Sequence, residues 1–138
     1  MRHWALAALL ACAVTATPAR AQEGIRTERV QFKAGTSGAS LKGRIKGDQT
    51  VDYKLGAKAG QTMTVSLKGS NSSNYFNVLP PGSTGEAIFV GSSADIQKFE
   101  GALPLDGDYT VRVYLMRNAA RRSETSDYTL DIGITTPR

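Results

Sequence analysis

Hydrophobic and polar residues alternate with a period of two along most of this chain. Val51-x-Tyr53-x-Leu55, Met63-x-Val65-x-Leu67, Tyr109-x-Val111-x-Val113-x-Leu115 and Tyr128-x-Leu130-x-Ile132-x-Ile134 put apolar side chains at every second position. Successive side chains of a strand point to opposite faces, so each pattern predicts a strand with one face in a core and one in water. Shorter apolar stretches over Arg29–Phe32, Leu41–Ile45, Tyr75–Leu79, Ala87–Val90 and Phe99–Leu103 predict further strands. Glycine, asparagine, aspartate and proline punctuate them, as in Gly47-Asp48, Lys58-Ala59-Gly60, Gly69-Ser70-Asn71, Pro80-Pro81-Gly82 and Leu105-Asp106-Gly107. These residues favour the backbone angles that turns require. Arg117–Glu124 is the one stretch with passable helix formers. Short strands at turn spacings of about 8–12 residues predict an antiparallel β-sandwich or barrel. Of the two, an all-β sandwich of about eight short strands is expected, with residues 22–28 a frayed lead-in and Thr135–Arg138 a short tail.

The N-terminus breaks the pattern. Met1–Ala21 carries Arg2, an apolar run from Trp4 to Ala16 and an A-x-A site at Ala19-Arg20-Ala21. The run is too short to span a bilayer as a helix, and the three parts together predict a cleaved signal peptide over 1–21. A lipoprotein site at Cys12 is the lesser alternative, because it leaves too short an apolar segment before the cysteine. The remaining residues, 22–138, form one domain, placed in the periplasm or outside the cell.

Cleavage changes the composition. The 138-residue chain has a formal charge of +5, and losing Arg2 and Arg20 lowers it to +3. His3, Trp4 and Cys12 are the only His, Trp and Cys, and all precede residue 22. The expected mature domain therefore has no His-dependent triad, cysteine nucleophile, disulfide or His/Cys zinc site. A binding protein is expected rather than an enzyme, with no cofactor, metal or nucleic acid partner and no membrane span. Pairing of two copies along a sheet edge, a homodimer, is a further partner that a strand-rich domain allows.

Four segments could carry chemistry. Arg117-Asn118-Ala119-Ala120-Arg121-Arg122 gathers three guanidinium groups in a connection longer than a hairpin between the last two strands needs. Guanidinium is planar, always charged and matched to carboxylates in bidentate geometry. The bland reading is a solvated loop that discourages aggregation at a sheet edge. Asp106-Gly107-Asp108-Tyr109 reads either as a binding turn or as a hairpin turn with a core tyrosine. Asn71–Asn77 could line a sugar groove through Tyr75 and Phe76, or be a surface loop followed by a core strand. Lys42-Gly43-Arg44-Ile45-Lys46 reads as the charged outer face of a strand.

Val30–Ala39, Ile45-Lys46-Gly47, Ala57–Gln61, Leu103–Tyr109, Arg117–Arg121 and Tyr128–Ile134 cover most of the domain in order. Together they resemble the periplasmic lysozyme inhibitors of Gram-negative bacteria, in the invertebrate-type and goose-type families. The R-N-x-A-R segment after L-P-x-x-G-x-Y is the more specific part. The turn and strand matches are shared with pre-peptidase C-terminal sandwiches, so a carbohydrate- or peptidoglycan-binding module is the alternative. The resemblance implies a loop that enters a lysozyme's active-site cleft. By analogy with goose-type inhibitors it implies Arg117 and Arg121, with Asp48 where those inhibitors have a tyrosine after I-K-G. By analogy with invertebrate-type inhibitors it implies Gly107 and Tyr109, with Asp106 where their serine stands. Strand order is expected to bring the loops of Arg117 and Tyr109 to neighbouring ends of the domain.

Overall fold

The structure, a computed structural model, describes residues 25–32, 37–83 and 85–136. The expected signal peptide lies outside the described residues. Nine strands form among the described residues: β1 Ile25–Arg29, β2 Gly38–Lys46, β3 Thr50–Ala57, β4 Thr62–Gly69, β5 Asn74–Leu79, β6 Phe89–Val90, β7 Lys98–Ala102, β8 Gly107–Leu115 and β9 Thr125–Thr135. A 3₁₀ turn covers Gly91–Ser93, and a one-turn helix, α1, covers Arg117–Arg121. One sheet has the order β1-β3-β8-β5-β6 and the other β2-β9-β4-β7. The expected all-β sandwich of about eight strands is the fold observed.

The alternation read in the sequence fills the space between the sheets. Val51, Tyr53 and Leu55 of β3, Phe76 and Val78 of β5, and Tyr109, Val111, Val113 and Leu115 of β8 point inward from one sheet. Met63, Val65 and Leu67 of β4 and Tyr128, Leu130, Ile132 and Ile134 of β9 meet them from the other. Each fully buried apolar side chain of this size contributes roughly 1.5–3 kcal/mol. The hydroxyls of Tyr53 and Tyr128, on opposite sheets, lie 2.6 Å apart in the core. Burial pushes the Tyr128 phenol far above its usual range, so the pair stays protonated and one hydroxyl donates to the other in a single hydrogen bond.

The first strand departs from expectation. It spans Ile25–Arg29 rather than Arg29–Phe32, so most of the supposed lead-in is paired. It pairs with β3 in parallel, from Ile25 opposite Thr50 to Arg29 opposite Lys54. The reason is topological: β2 lies in the other sheet, and the chain returns from it running in the direction of β1. All the other strand pairs among the described residues are antiparallel. The stretch Ala87–Val90 contributes only the two-residue β6.

Gly43 of β2 sits directly opposite Tyr128 of β9. A β-carbon there would overlap the Tyr128 phenol ring, which lies across the glycine on its way to Tyr53. Gly43→Ala should therefore lower stability by about 1–3 kcal/mol, the usual cost of overpacking. Gly85 has open space around it, and Gly85→Ala should stay within about 0.5 kcal/mol of wild type. Urea unfolding of the two variants checks this; equal midpoints would rule out the steric account.

Candidate functional site

β8 and β9 do not form a hairpin. β8 lies between β3 and β5 in one sheet, and β9 between β2 and β4 in the other. The arginine segment is therefore a crossover between central strands, not a guard on a sheet edge. Its one helical turn turns Ala119 inward to complete burial and leaves Arg117 and Arg121 exposed. The Ala120 amide donates to the Met116 carbonyl (2.9 Å), and the Ser123 amide to the Ala120 carbonyl (3.0 Å). Ser123, at φ +53°, ends the turn in the left-handed region that commonly stops helices.

The turn after β2 is fastened to this crossover. The Gly47 amide donates to the Glu124 carbonyl at 2.8 Å. Gly47 has φ +61° and lies against Ala120 and Ser123, so a side chain there would be strained. The Lys46 amide donates to the Gln49 side-chain oxygen (3.0 Å), which closes the turn and leaves Asp48 exposed. Glu124 braces the base. Its carboxylate accepts from the Asn71 amide (2.9 Å) and from Arg122 Nε (2.6 Å). Those two contacts, Asn71's first, hold its carboxyl below the usual range. Arg122 is thus engaged. Arg117 and Arg121 make no ion pair among the described residues.

A groove of about 690 Å³ opens beside this lip, lined by Asp48, Asn77, Arg112, Tyr114 and Arg117 above Leu115. Arg112 of β8 holds Asp52 of β3 in a bidentate pair, with Nε–Oδ1 2.8 Å and Nη2–Oδ2 3.0 Å. Asp52 is 6% exposed, which makes this the most enclosed ion pair among the described residues. Arg112 and Tyr114 were not singled out in the sequence, and Asn77 only as the end of the Asn71–Asn77 stretch. They stand at the polar positions of β5 and β8, and only the strand register brings them together.

Asp106, Gly107 and Tyr109 lie at the other end. Gly107 begins β8 and Arg117 lies two residues past its end at Leu115, so about ten residues, roughly 30 Å of strand, separate them. The expectation of neighbouring ends is corrected, because one strand cannot present both its termini to the same side. Tyr109 is fully buried, and its hydroxyl bonds the amide (3.0 Å) and carbonyl (2.7 Å) of Leu105. Its ring belongs to the core and its hydroxyl shapes the turn. Asp106 accepts from the Ala59 amide at 2.7 Å, which ties the turn before β8 to the turn before β4. Gly107, at φ +133°, lies against Pro81. Asp108 of the same turn holds Arg29 in a bidentate pair (2.7 and 2.9 Å).

The Tyr75–Phe76 sugar platform is not formed. Neighbouring strand residues face opposite ways, and Phe76 is wholly buried against Phe89, with ring centroids 4.9 Å apart. Only Tyr75 reaches the outer face, beside Tyr114. No cluster of three or more metal-ligating side chains gathers among the described residues, and no helix there is long and apolar enough to cross a membrane.

No family model matches the chain. An inhibitor of g-type lysozyme from Escherichia coli (strain K12) is 31% identical over 136 residues, covering 93% of each chain. The crystal structure of Aeromonas hydrophila PliG, a periplasmic lysozyme inhibitor of g-type lysozyme, matches with a TM-score of 0.75 and 42% identity. That match covers 80% of this chain and 97% of the other. A pre-peptidase C-terminal domain of a Bacillus anthracis collagenase shares the fold alone, at TM-score 0.54 and 17% identity over 80% of this chain and 95% of that one. The Escherichia coli and Aeromonas hydrophila relatives are lysozyme inhibitors, not enzymes, and of the two inhibitor classes the residues resembled, theirs is the goose type. The chain belongs to the family of periplasmic inhibitors of g-type lysozyme.

Proposed function

We propose that this protein is exported to the periplasm, binds a g-type lysozyme and blocks its active-site cleft with the end of the sandwich that carries α1. Arg117 and Arg121 enter the cleft, and the Asp48 turn lies beside them. The observation that carries this reading is that both arginines are exposed and lack an ion partner among the described residues, on a turn held by buried Ala119 and by the Gly47–Glu124 bond. Lysozyme clefts hold catalytic carboxylates. A guanidinium placed between them makes charge-assisted bonds of roughly 1.5–3 kcal/mol each. The lip is already ordered, so little conformational entropy is lost on binding. Asp106, Gly107 and Tyr109 act in this reading as supports of the far end rather than as contacts. Cleavage after Ala21 frees the domain of residues 22–138. A homodimer would form along the sheet edges β1, β2, β6 or β7.

A turbidity assay of cell-wall lysis tests the reading. The mature domain should slow a g-type lysozyme, and Arg117→Ala or Arg121→Ala should each weaken inhibition about tenfold or more, a loss of ~1.4 kcal/mol. If both variants fold and inhibit like wild type, the arginines do not carry the contact. Retention on purified peptidoglycan with no effect on the lysozyme would favour the carbohydrate-binding alternative.

The brace under the lip is pH-dependent. The depressed Glu124 pKa means its contribution to stability is present above the ordinary carboxylate range and lost as pH falls through the folded value. Wild type should therefore melt higher than Glu124→Gln at neutral pH, and the gap should close as pH drops below about 4. Thermal melts across that range check it; a gap that does not change with pH would show that the charge is not the source.

A further inference from the structure

Asn77 and Arg112, which line the groove beside the arginine lip, have their directions set before any partner arrives. Asn77 shows this most clearly. Its Oδ1 accepts from the Gly91 amide (3.1 Å) and from the Tyr114 hydroxyl (2.9 Å). A backbone N–H can only donate, so the amide cannot be flipped, and Nδ2 becomes the free donor. Among the described residues Nδ2 has no hydrogen-bond partner, and Asn77 lines the groove. Arg112 is fixed in the same manner. Asp52 takes its Nε and Nη2, and Nη1 has no partner among the described residues. Arg117, on the lip itself, also lines the groove. Two oriented donors on rigid strands therefore run into the lip as one surface, over the apolar Leu115.

From this we infer that the groove is a second contact for the lysozyme and takes a carboxylate-bearing side chain from the rim of its cleft. This rests on the inhibitor reading above and extends it from the lip onto the outer face of β5 and β8. The chemistry of the occupant follows from what is left unsatisfied. The charge of Asp52 is neutralised by Arg112, so the free groups near β5 and β8 are donors: Nδ2 of Asn77, Nη1 of Arg112 and the Arg117 guanidinium. A carboxylate can accept from several such donors at once. Asp48 is the one carboxylate among the lining residues, in the turn after β2, and suits a hydroxyl or backbone N–H of the same lysozyme segment. The contact is partly pre-organised, because the Asn77–Tyr114–Gly91 and Arg112–Asp52 bonds already hold two of its three donors.

Asn77→Asp tests the groove separately from the lip. The new carboxylate can still accept from Gly91 and Tyr114, so the fold is retained, but the free donor becomes a negative acceptor. Inhibition of a g-type lysozyme should weaken about tenfold or more, with an unchanged melting temperature. Asn77→Ala should weaken it less, since it deletes the donor without adding a like charge. If Asn77→Asp destabilises the domain, the Asn77→Ala comparison is made at a temperature where both variants are folded. Wild-type inhibition by both variants, with Arg117→Ala still impaired, overturns the groove and leaves the lip standing. Tighter inhibition by Asn77→Asp means that a cation occupies the groove and overturns the proposal. So does binding of an N-acetylglucosamine oligomer to the free domain that Asn77→Asp abolishes, which would make the groove a sugar site. If the wild-type domain inhibits no g-type lysozyme, the inhibitor reading fails and takes this contact with it.

Discussion

The core forces the chain to cross from sheet to sheet where it leaves β8. Both β8 and β9 are central strands, and their alternate residues face each other across the interior. Packed sheets lie about 10 Å apart, and an antiparallel two-residue turn cannot bridge that gap. A single helical turn can: five residues at 1.5 Å rise cover about 7.5 Å, and the flanking residues do the rest. One small residue, Ala119, turns inward, and the long cationic residues on either side are left in water. Gly47–Gln49 makes the sheet-to-sheet crossing from β2 to β3 in three residues, so the core requires only that the chain cross after β8, and the extra length of that connection is what carries the arginines. The arginine lip sits on a seam between the sheets where backbone bonds from β2's turn and from the start of β9 converge.

The same strand has two ends with different work. At one, Asp106, Asp108 and Tyr109 have their polar groups engaged by Ala59, Arg29 and Leu105. These contacts join the turn before β8 to the turn before β4 and to the end of β1. At the other, Arg117, Arg121 and Asp48 are exposed, while their neighbours Glu124, Gly47 and Gln49 make the bonds that hold the backbone. The exposed groups are free for a partner because the residues between them carry the structural load. That division separates the goose-type from the invertebrate-type resemblance, since the residues matching each class sit at opposite ends.

The network on the outer face of β3, β5 and β8 adds direction to charge. Arg112 and Asp52 neutralise one another on neighbouring strands, and Tyr114 and Gly91 together fix the Asn77 amide. A pair as enclosed as Asp52–Arg112 is not a strong source of stability by itself, because desolvation offsets much of its attraction. Its effect is orientation: both side chains are held at fixed angles beside the lip.

The strands were legible because their cause is local. A period of two in Val51–Leu55, Met63–Leu67, Tyr109–Leu115 and Tyr128–Ile134 can mean little other than one buried face, whichever strand lies next to it. Arg117–Arg121 was legible as a cluster and as part of the one stretch with passable helix formers, since both depend on neighbouring residues alone. Its position on a crossover was not, nor was the 30 Å that separates it from Gly107, nor the joining of Asn77, Arg112 and Tyr114 into one groove. Ile25–Arg29 was missed as a strand because only pairing with β3 makes its polar sequence extended. Composition and spacing alone determined that this is an all-β chain with its arginines concentrated in one connection. Register and sheet order decided which residues share a surface, because those depend on contacts between segments far apart in the chain.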